Sequence, residues 1–93
     1  MYYRCMNFEF DSKKAIANLR KHGVDFAEVE PVFYDDFALT REDIEAVGEA
    51  RFVTVGLDVL GRVVAVFWTQ RGESIRLISA RLASPTERKS YES

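Results

Sequence analysis

The spacing of apolar side chains predicts a first helix near the start of the chain. Ala15, Leu19 and His22 follow one another at helical intervals. Asp11 stands where it can cap the start of this helix, and Gly23 stands where a glycine commonly ends one. We therefore expect a helix between these two residues.

A second helical segment opens at Asp25, with Glu28 three residues later at the spacing of a capping box. Its apolar stripe would consist of Phe26, Val29 and Phe33. Pro31 interrupts the segment, because an interior proline removes one backbone hydrogen bond and clashes with the preceding turn. We expect a helix that is short, kinked or finished before Phe33.

Three strand patterns occupy the second half of the chain. Phe52–Leu57 alternates, Arg62–Thr69 is apolar on both faces, and Ile75–Arg81 alternates again. Strict alternation in the last strand would place Ile75, Leu77, Ser79 and Arg81 on one face, with Arg76, Ile78 and Ala80 on the other. The short glycine-containing connections predict an antiparallel meander.

The segments around these strands complete an α+β architecture. Residues 34–48 are polar and acidic, which indicates a loop with a short edge strand near Ala38–Thr40. Ser84, Pro85 and Glu87 form a strong helix start, with a cap, a proline in the first position and a glutamate in the third. Helices followed by hairpin-linked strands and a last helix predict one α+β domain over residues 1–93.

Composition excludes several classes of protein. Hydrophobic residues make up 47% of the chain and charged residues 30%, as in globular domains. Cys5 is the only cysteine, which excludes an internal disulfide, and with His22 as the only histidine a Cys/His zinc site is excluded too. No apolar run reaches membrane length and no signal peptide is evident, so we expect a cytoplasmic protein. The remaining possible metal ligands are scattered carboxylates, so we expect neither a metal nor an organic cofactor.

The net charge of −2 hides a strong segregation of charge along the chain. Residues 26–50 contain eight acidic side chains and one basic, while both flanks are more basic and the C-terminal one is rich in arginine. Arginine suits bidentate contact with phosphate. One interpretation is that the acidic middle directs phosphate groups toward an arginine surface by repelling them elsewhere. The alternative is a solvated loop.

An ordered set of short motifs runs along nearly the whole chain. It comprises Phe8-Glu9-Phe10-Asp11, Lys14-Ala15, Lys21-His22-Gly23-Val24, Arg51-Phe52, Gly61-Arg62, Ile78-Ser79-Ala80-Arg81 and Tyr91-Glu92. This set resembles the BrnT toxins of type II toxin–antitoxin modules over about residues 6–92. Pro31 and Leu82 depart from the family pattern, and five residues precede the usual start, so Met6 is a candidate initiator.

The resemblance implies a RelE/ParE-like fold, with N-terminal helices packed on an antiparallel sheet and a C-terminal helix. It also implies a ribonuclease that halts translation and is neutralised by a BrnA antitoxin with a ribbon–helix–helix DNA-binding part. The complex of the two would repress its own operon, so that contact with operator DNA passes through the antitoxin. Two alternatives remain open: a non-catalytic antitoxin-binding co-repressor, and a ParE-like gyrase inhibitor.

RNA is cut without metal when the 2′-hydroxyl attacks the adjacent phosphorus, which needs a base, an acid and cations around the phosphoryl oxygens. Arginine suits the last of these tasks. Arg62 enters one strand and Arg81 leaves its antiparallel neighbour, so we expect this pair at one edge of the sheet to bind phosphate. Arg76 is the second candidate.

The remaining candidates each have a structural alternative. His22 is an acid or base, or an imidazole that stabilises a helix end. Glu49 is a base, or an ion-pair partner for arginine. Arg51, Arg88 and Tyr91 are candidate RNA contacts, and Tyr91 can instead pack the last helix onto the sheet. Phe67 and Trp68 are predicted to lie in the core.

Overall fold

A computed structural model of the chain describes residues 6–93, so Cys5 and the exclusions based on it lie outside the described residues. A five-stranded sheet has the strand order β1-β5-β4-β3-β2. The strands are β1 (Asn7–Glu9), β2 (Leu39–Glu42), β3 (Phe52–Leu57), β4 (Val63–Arg71) and β5 (Ser74–Leu82), and the α-helices are α1 (Ser12–His22) and α2 (Pro85–Glu92). Within the described range, no helix combines the length and apolar character needed to cross a membrane.

Both ends of α1 form as the sequence predicts. The Asp11 side chain accepts a hydrogen bond from the Lys13 N–H at the start of the helix. Gly23 ends it with a φ of 72°, a left-handed conformation that costs glycine little, and its N–H donates to the Leu19 carbonyl. This confirms the first predicted helix.

The second helical segment is broken into two 3₁₀ helices, Phe26–Glu28 and Glu30–Tyr34. Pro31 lies in the first turn of the second 3₁₀ helix, where its missing N–H costs nothing. Of the expected alternatives, a short and interrupted segment is the one that forms, and it continues through Phe33. Phe26 is fully buried, whereas Phe33 is only partly so.

The four strands β2 to β5 form the predicted antiparallel meander. Strand β1, which the sequence pattern did not indicate, pairs in parallel with β5, so the sheet is mixed. The bounds of three strands differ slightly from the prediction, since the edge strand β2 runs from Leu39 to Glu42, β4 from Val63 to Arg71, and β5 from Ser74 to Leu82.

A bulge in β5 changes which side chains share a face. Phe67 pairs with Ser79 and Trp68 pairs with Leu77, which leaves Ile78 without an opposite residue. Strict alternation along β5 was therefore wrong. Leu77 and Ile75 share a face with Ala80, whereas Ser79, Arg81 and Arg76 lie on the other face.

The two faces of the sheet carry separate hydrophobic clusters. The larger cluster lies under α1 and the 3₁₀ helices and includes Phe26, Val32, Val66 and Leu77. The smaller one consists of Val53, Val55, Val63 and Ala65, with Phe67, Ala83 and Tyr91 packed against it. Because α2 has only eight residues, it covers only part of this second face.

Candidate functional site

The uncovered part of the second sheet face is rich in arginine. The register places Arg41 opposite Val53, Val53 opposite Phe67, and Arg81 opposite Ala65, so these side chains share this face. Arg76 lies on it through its pairing with Thr69. Arg51 immediately precedes β3, and continued alternation from Val53 would direct its side chain to the same face. We call this surface the arginine face: Arg41, Arg51, Arg76 and Arg81, with Phe67 beneath Arg81.

Arg81 is held in one orientation by Glu87, the third residue of α2. Its Nη1 and Nη2 donate to the two carboxylate oxygens at 2.7 and 3.1 Å. The guanidinium also stacks over the Phe67 ring, with 5.3 Å from Cζ to the ring centroid. Phe67 was predicted to lie in the core, but it is only half-buried. Its ring lies beneath the guanidinium of Arg81 on the arginine face.

The ion pair shifts both pKa values. The hydrogen bond from Arg81 lowers the pKa of Glu87 to about 2, against the opposing effect of burial, and the Ser84 N–H contributes to the same lowering. The hydrogen bond to Glu87 likewise raises the pKa of Arg81. Arg81 is thus a permanent cation and Glu87 a weak base.

Arg41 lies beside the same carboxylate, with 3.7 Å between its Nη2 and the Glu87 Oε2. Arg41, Arg81 and Phe67 line a cavity of about 340 Å³ together with Asp43, Ile44 and Glu45. Asp43 and Glu45 of the acidic segment therefore border the arginine face. The interpretation that the acidic residues repel phosphate from elsewhere on the molecule does not apply to these two.

The other two members of the arginine face differ in their partners. Arg76 donates to the Glu9 carboxylate at 3.3 Å, an ion pair that spans β5 and β1. The Nε of Arg51 is buried and has no hydrogen-bond partner within residues 6–93. A buried N–H donor without a hydrogen bond raises the free energy of the folded chain. A ligand that places an oxygen atom within hydrogen-bond distance of this Nε would therefore be favoured.

Arg62 does not join Arg81, contrary to the expected pairing. Its Nε donates to Asp58 at 2.8 Å, and its guanidinium contacts Glu28 and the Gly23 carbonyl on the larger-core side of the sheet. The two arginines begin and end neighbouring strands but point to opposite faces. Two carboxylates around one guanidinium leave no excess positive charge for phosphate.

The remaining predicted site residues lie in different parts of the molecule. His22 ends α1 next to Gly23, and thus lies on the Arg62 side of the sheet. Arg88 is exposed on α2, where it lines a shallow surface with Pro85 and Lys89. Glu49 is exposed in the loop before β3, two residues from Arg51.

Tyr91 tethers α2 to the edge of the sheet. Its hydroxyl donates to the Asp35 Oδ2 at 2.6 Å, and the same oxygen accepts from the Leu57 N–H at 3.0 Å. The bond to Asp35, with burial, raises the pKa of Tyr91 to about 12. Burial alone would raise the pKa of Asp35, but its hydrogen bonds outweigh this and leave that pKa lowered. Tyr91 therefore takes the packing role that the sequence left open.

The described residues contain no cluster of three or more His, Cys, Asp and Glu side chains that could hold a metal ion. The chemistry the arginine face offers is binding and stabilisation of phosphate by guanidinium groups. Sequence reasoning missed Arg41 as a member, although it is the only basic residue in the acidic segment. It also treated Glu87 only as a helix cap, whereas Glu87 positions Arg81.

Comparison with known proteins identifies the family of this chain. A family model described as the ribonuclease toxin BrnT of type II toxin–antitoxin systems matches residues 10–87. The crystal structure of the Brucella abortus ribonuclease toxin BrnT is 26% identical, with a TM-score of 0.66, over 86% of this chain and 99% of that one. No curated protein matches. The chain belongs to the BrnT family of ribonuclease toxins of type II toxin–antitoxin systems.

Proposed function

We propose that the arginine face binds the RNA backbone and that the chain cleaves RNA by attack of the 2′-hydroxyl without a metal ion. The observation that supports this proposal is the gathering of arginines on one sheet face: Arg41 on β2 and Arg81 on β5 line one cavity with Phe67, and Arg76 lies on the same face of β5. Guanidinium groups bind phosphate in a bidentate manner and stabilise the charge that develops on its oxygens during cleavage.

The residues have different tasks in this mechanism. Arg81 and Arg41 hold the scissile phosphate, and Arg51 with Arg76 contact the adjoining backbone. Glu49 is our candidate for the base that accepts the 2′-hydroxyl proton, because it is an exposed carboxylate near Arg51. The 2′-oxygen then bonds to phosphorus, the bond to the 5′-oxygen breaks, and water protonates the leaving oxygen. Arg62 and His22 take no part.

The partner we propose is a BrnA-like antitoxin with a ribbon–helix–helix DNA-binding part. An acidic segment of this antitoxin would occupy the arginine face and compete with RNA for the same guanidinium groups. Contact with operator DNA would then pass through the antitoxin alone. We also retain the RelE/ParE-like relationship as a prediction.

The first prediction concerns Arg81→Ala. Loss of a guanidinium that contacts the transferring phosphoryl group should lower the rate of RNA cleavage by about 100-fold or more. The measurement is cleavage of total RNA by purified toxin in buffer that contains EDTA, together with growth arrest on expression.

Arg20→Ala removes one exposed cation from α1 and should cleave RNA at the wild-type rate. The melting temperature of each variant separates loss of function from loss of fold. Full activity of a folded Arg81→Ala variant would refute the proposal, and arrest with intact RNA and broken DNA would favour gyrase inhibition instead.

A further inference from the structure

A second cavity lies beside the arginine face, between the edge strand β2 and the start of α2. Its volume is about 400 Å³. The residues that line it come from β2, β3 and α2, and include Leu39, Arg41, Val55, Thr86, Glu87 and Ser90. This volume falls within the range of about 300–1,000 Å³ that is usual for small-ligand sites.

The walls of this cavity differ in chemistry. Leu39 and Val55 provide an apolar wall, and Leu39 is 45% exposed although it is hydrophobic. On the α2 side, the hydroxyls of Thr86 and Ser90 make no side-chain hydrogen bond to any described residue. A flat ligand with apolar faces and a polar edge fits this arrangement, and a nucleobase has that character.

Arg41 joins this cavity to the arginine face, because its side chain lines both cavities. It is 57% exposed, so a ligand can reach the guanidinium from either side. A nucleotide whose phosphate lies in the cavity that Arg41 and Arg81 line with Phe67 would therefore have its base next to the opening of the second cavity.

We propose that the cavity between β2 and α2 binds one nucleobase of the RNA, next to the phosphate bound by Arg41 and Arg81. This inference rests on the proposed function, since it assigns a base site to the same substrate. Contact of the face of the base with the apolar wall of Leu39 and Val55 supplies the affinity, because apolar surface on both sides is removed from water. Hydroxyls can donate or accept, so the site would discriminate only weakly among bases.

The test compares binding of two probes that cannot be cleaved. One is a 2′-O-methyl RNA tetranucleotide, and the other is the same ribose-phosphate chain without bases. The wild-type protein should bind the complete tetranucleotide at least tenfold more tightly. Leu39→Trp, which fills the cavity, should abolish this difference while affinity for the base-free chain stays within twofold.

Leu19→Trp is the matched control, because Leu19 is 44% exposed and lies on α1 away from the cavity. It should keep the tenfold difference. Ser90→Phe fills the cavity from α2 and provides a second variant if Leu39→Trp does not fold. In NMR spectra, the Thr86 and Ser90 amides should shift with the complete tetranucleotide only.

The outcomes separate the two proposals. Binding of both probes with equal affinity would overturn the base site and leave the arginine face intact as a backbone site. Failure of the protein to bind either probe would overturn both. A tenfold difference that persists in a folded Leu39→Trp variant would place the base elsewhere on the protein.

Discussion

The Glu87 carboxylate accepts hydrogen bonds from the backbone of its own helix start and from the side chain of Arg81. Its Oε1 accepts from the Ser84 N–H at 2.8 Å, which completes the capping box of α2, and from Arg81 at 2.7 Å. The Ser84–Glu87 spacing could be predicted from sequence, because a capping box is local. The contact with Arg81 could not, because it depends on where the bulged strand β5 points its last side chains.

The pKa of Glu87 makes the ion pair a source of stability that depends on pH. A carboxylate whose folded-state pKa falls from 4.5 to about 2 binds fewer protons when folded than when unfolded. Its stabilising contribution is therefore complete above about pH 4.5 and is lost as the pH falls toward 2. Hydrogen bonds to charged groups suggest a contribution of about 1–3 kcal/mol.

Glu87→Gln should remove this pH dependence. Urea unfolding between pH 2.5 and 6 should show a smaller loss of stability with acid for the variant than for the wild type. Glu92→Gln alters an exposed carboxylate on the same helix and should follow the wild-type curve. An unchanged slope in Glu87→Gln would show that the ion pair contributes nothing to stability.

At the scale of elements, local signals predicted α1, β3 and α2 almost to the residue. The features that the sequence did not indicate depend on distant contacts. Strand β1 has three residues and forms only because β5, more than 60 residues later, offers a free edge. The bulge at Ile78 has no sequence marker, yet it decides that Arg76 and Arg81 share a face.

Asn18 joins α1 to β5 and provides a test of this packing. Its buried side chain donates to the Val24 and Ala80 carbonyls at 2.9 and 2.8 Å and accepts from the Ala80 N–H at 3.0 Å. Asn18→Ala should lower the free energy of unfolding by about 2–4 kcal/mol, because buried backbone groups lose their partners. Chemical denaturation measures this loss.

Lys14→Ala, at an exposed position of the same helix, should change stability by less than about 0.5 kcal/mol. An Asn18→Ala variant as stable as this control would show that water replaces the lost hydrogen bonds.

At the scale of the molecule, charge is arranged differently in space than along the chain. The sequence indicated arginine as the candidate phosphate-binding residue and separated an acidic middle from basic flanks. In the folded chain, β2 brings Arg41 and the acidic residues after it to the arginine face. Asp43 and Glu45 therefore reduce the positive potential at the site where phosphate is proposed to bind.

Glu45→Lys should strengthen RNA binding severalfold at low salt. The gain should shrink as salt rises, since screening weakens interactions between exposed charges. Fluorescence anisotropy with a 2′-O-methyl RNA at several salt concentrations measures the effect.

Glu30→Lys changes the net charge equally but lies in a 3₁₀ helix on the larger-core side of the sheet. It should alter RNA affinity much less. Equal gains in both variants would indicate a general charge effect and not a local one.

The double use of Glu87 also couples helix fraying to the charge of the binding surface. When the first turn of α2 opens, the Glu87 carboxylate leaves both Ser84 and Arg81. The Arg81 guanidinium then loses its ion-pair partner and is free to bind an anion. By linkage, an anion that binds this freed cation favours the frayed helix. A mutation that stabilises the start of the helix therefore weakens binding of the anion. The stability of the start of α2 and the anion affinity of the arginine face are therefore energetically coupled.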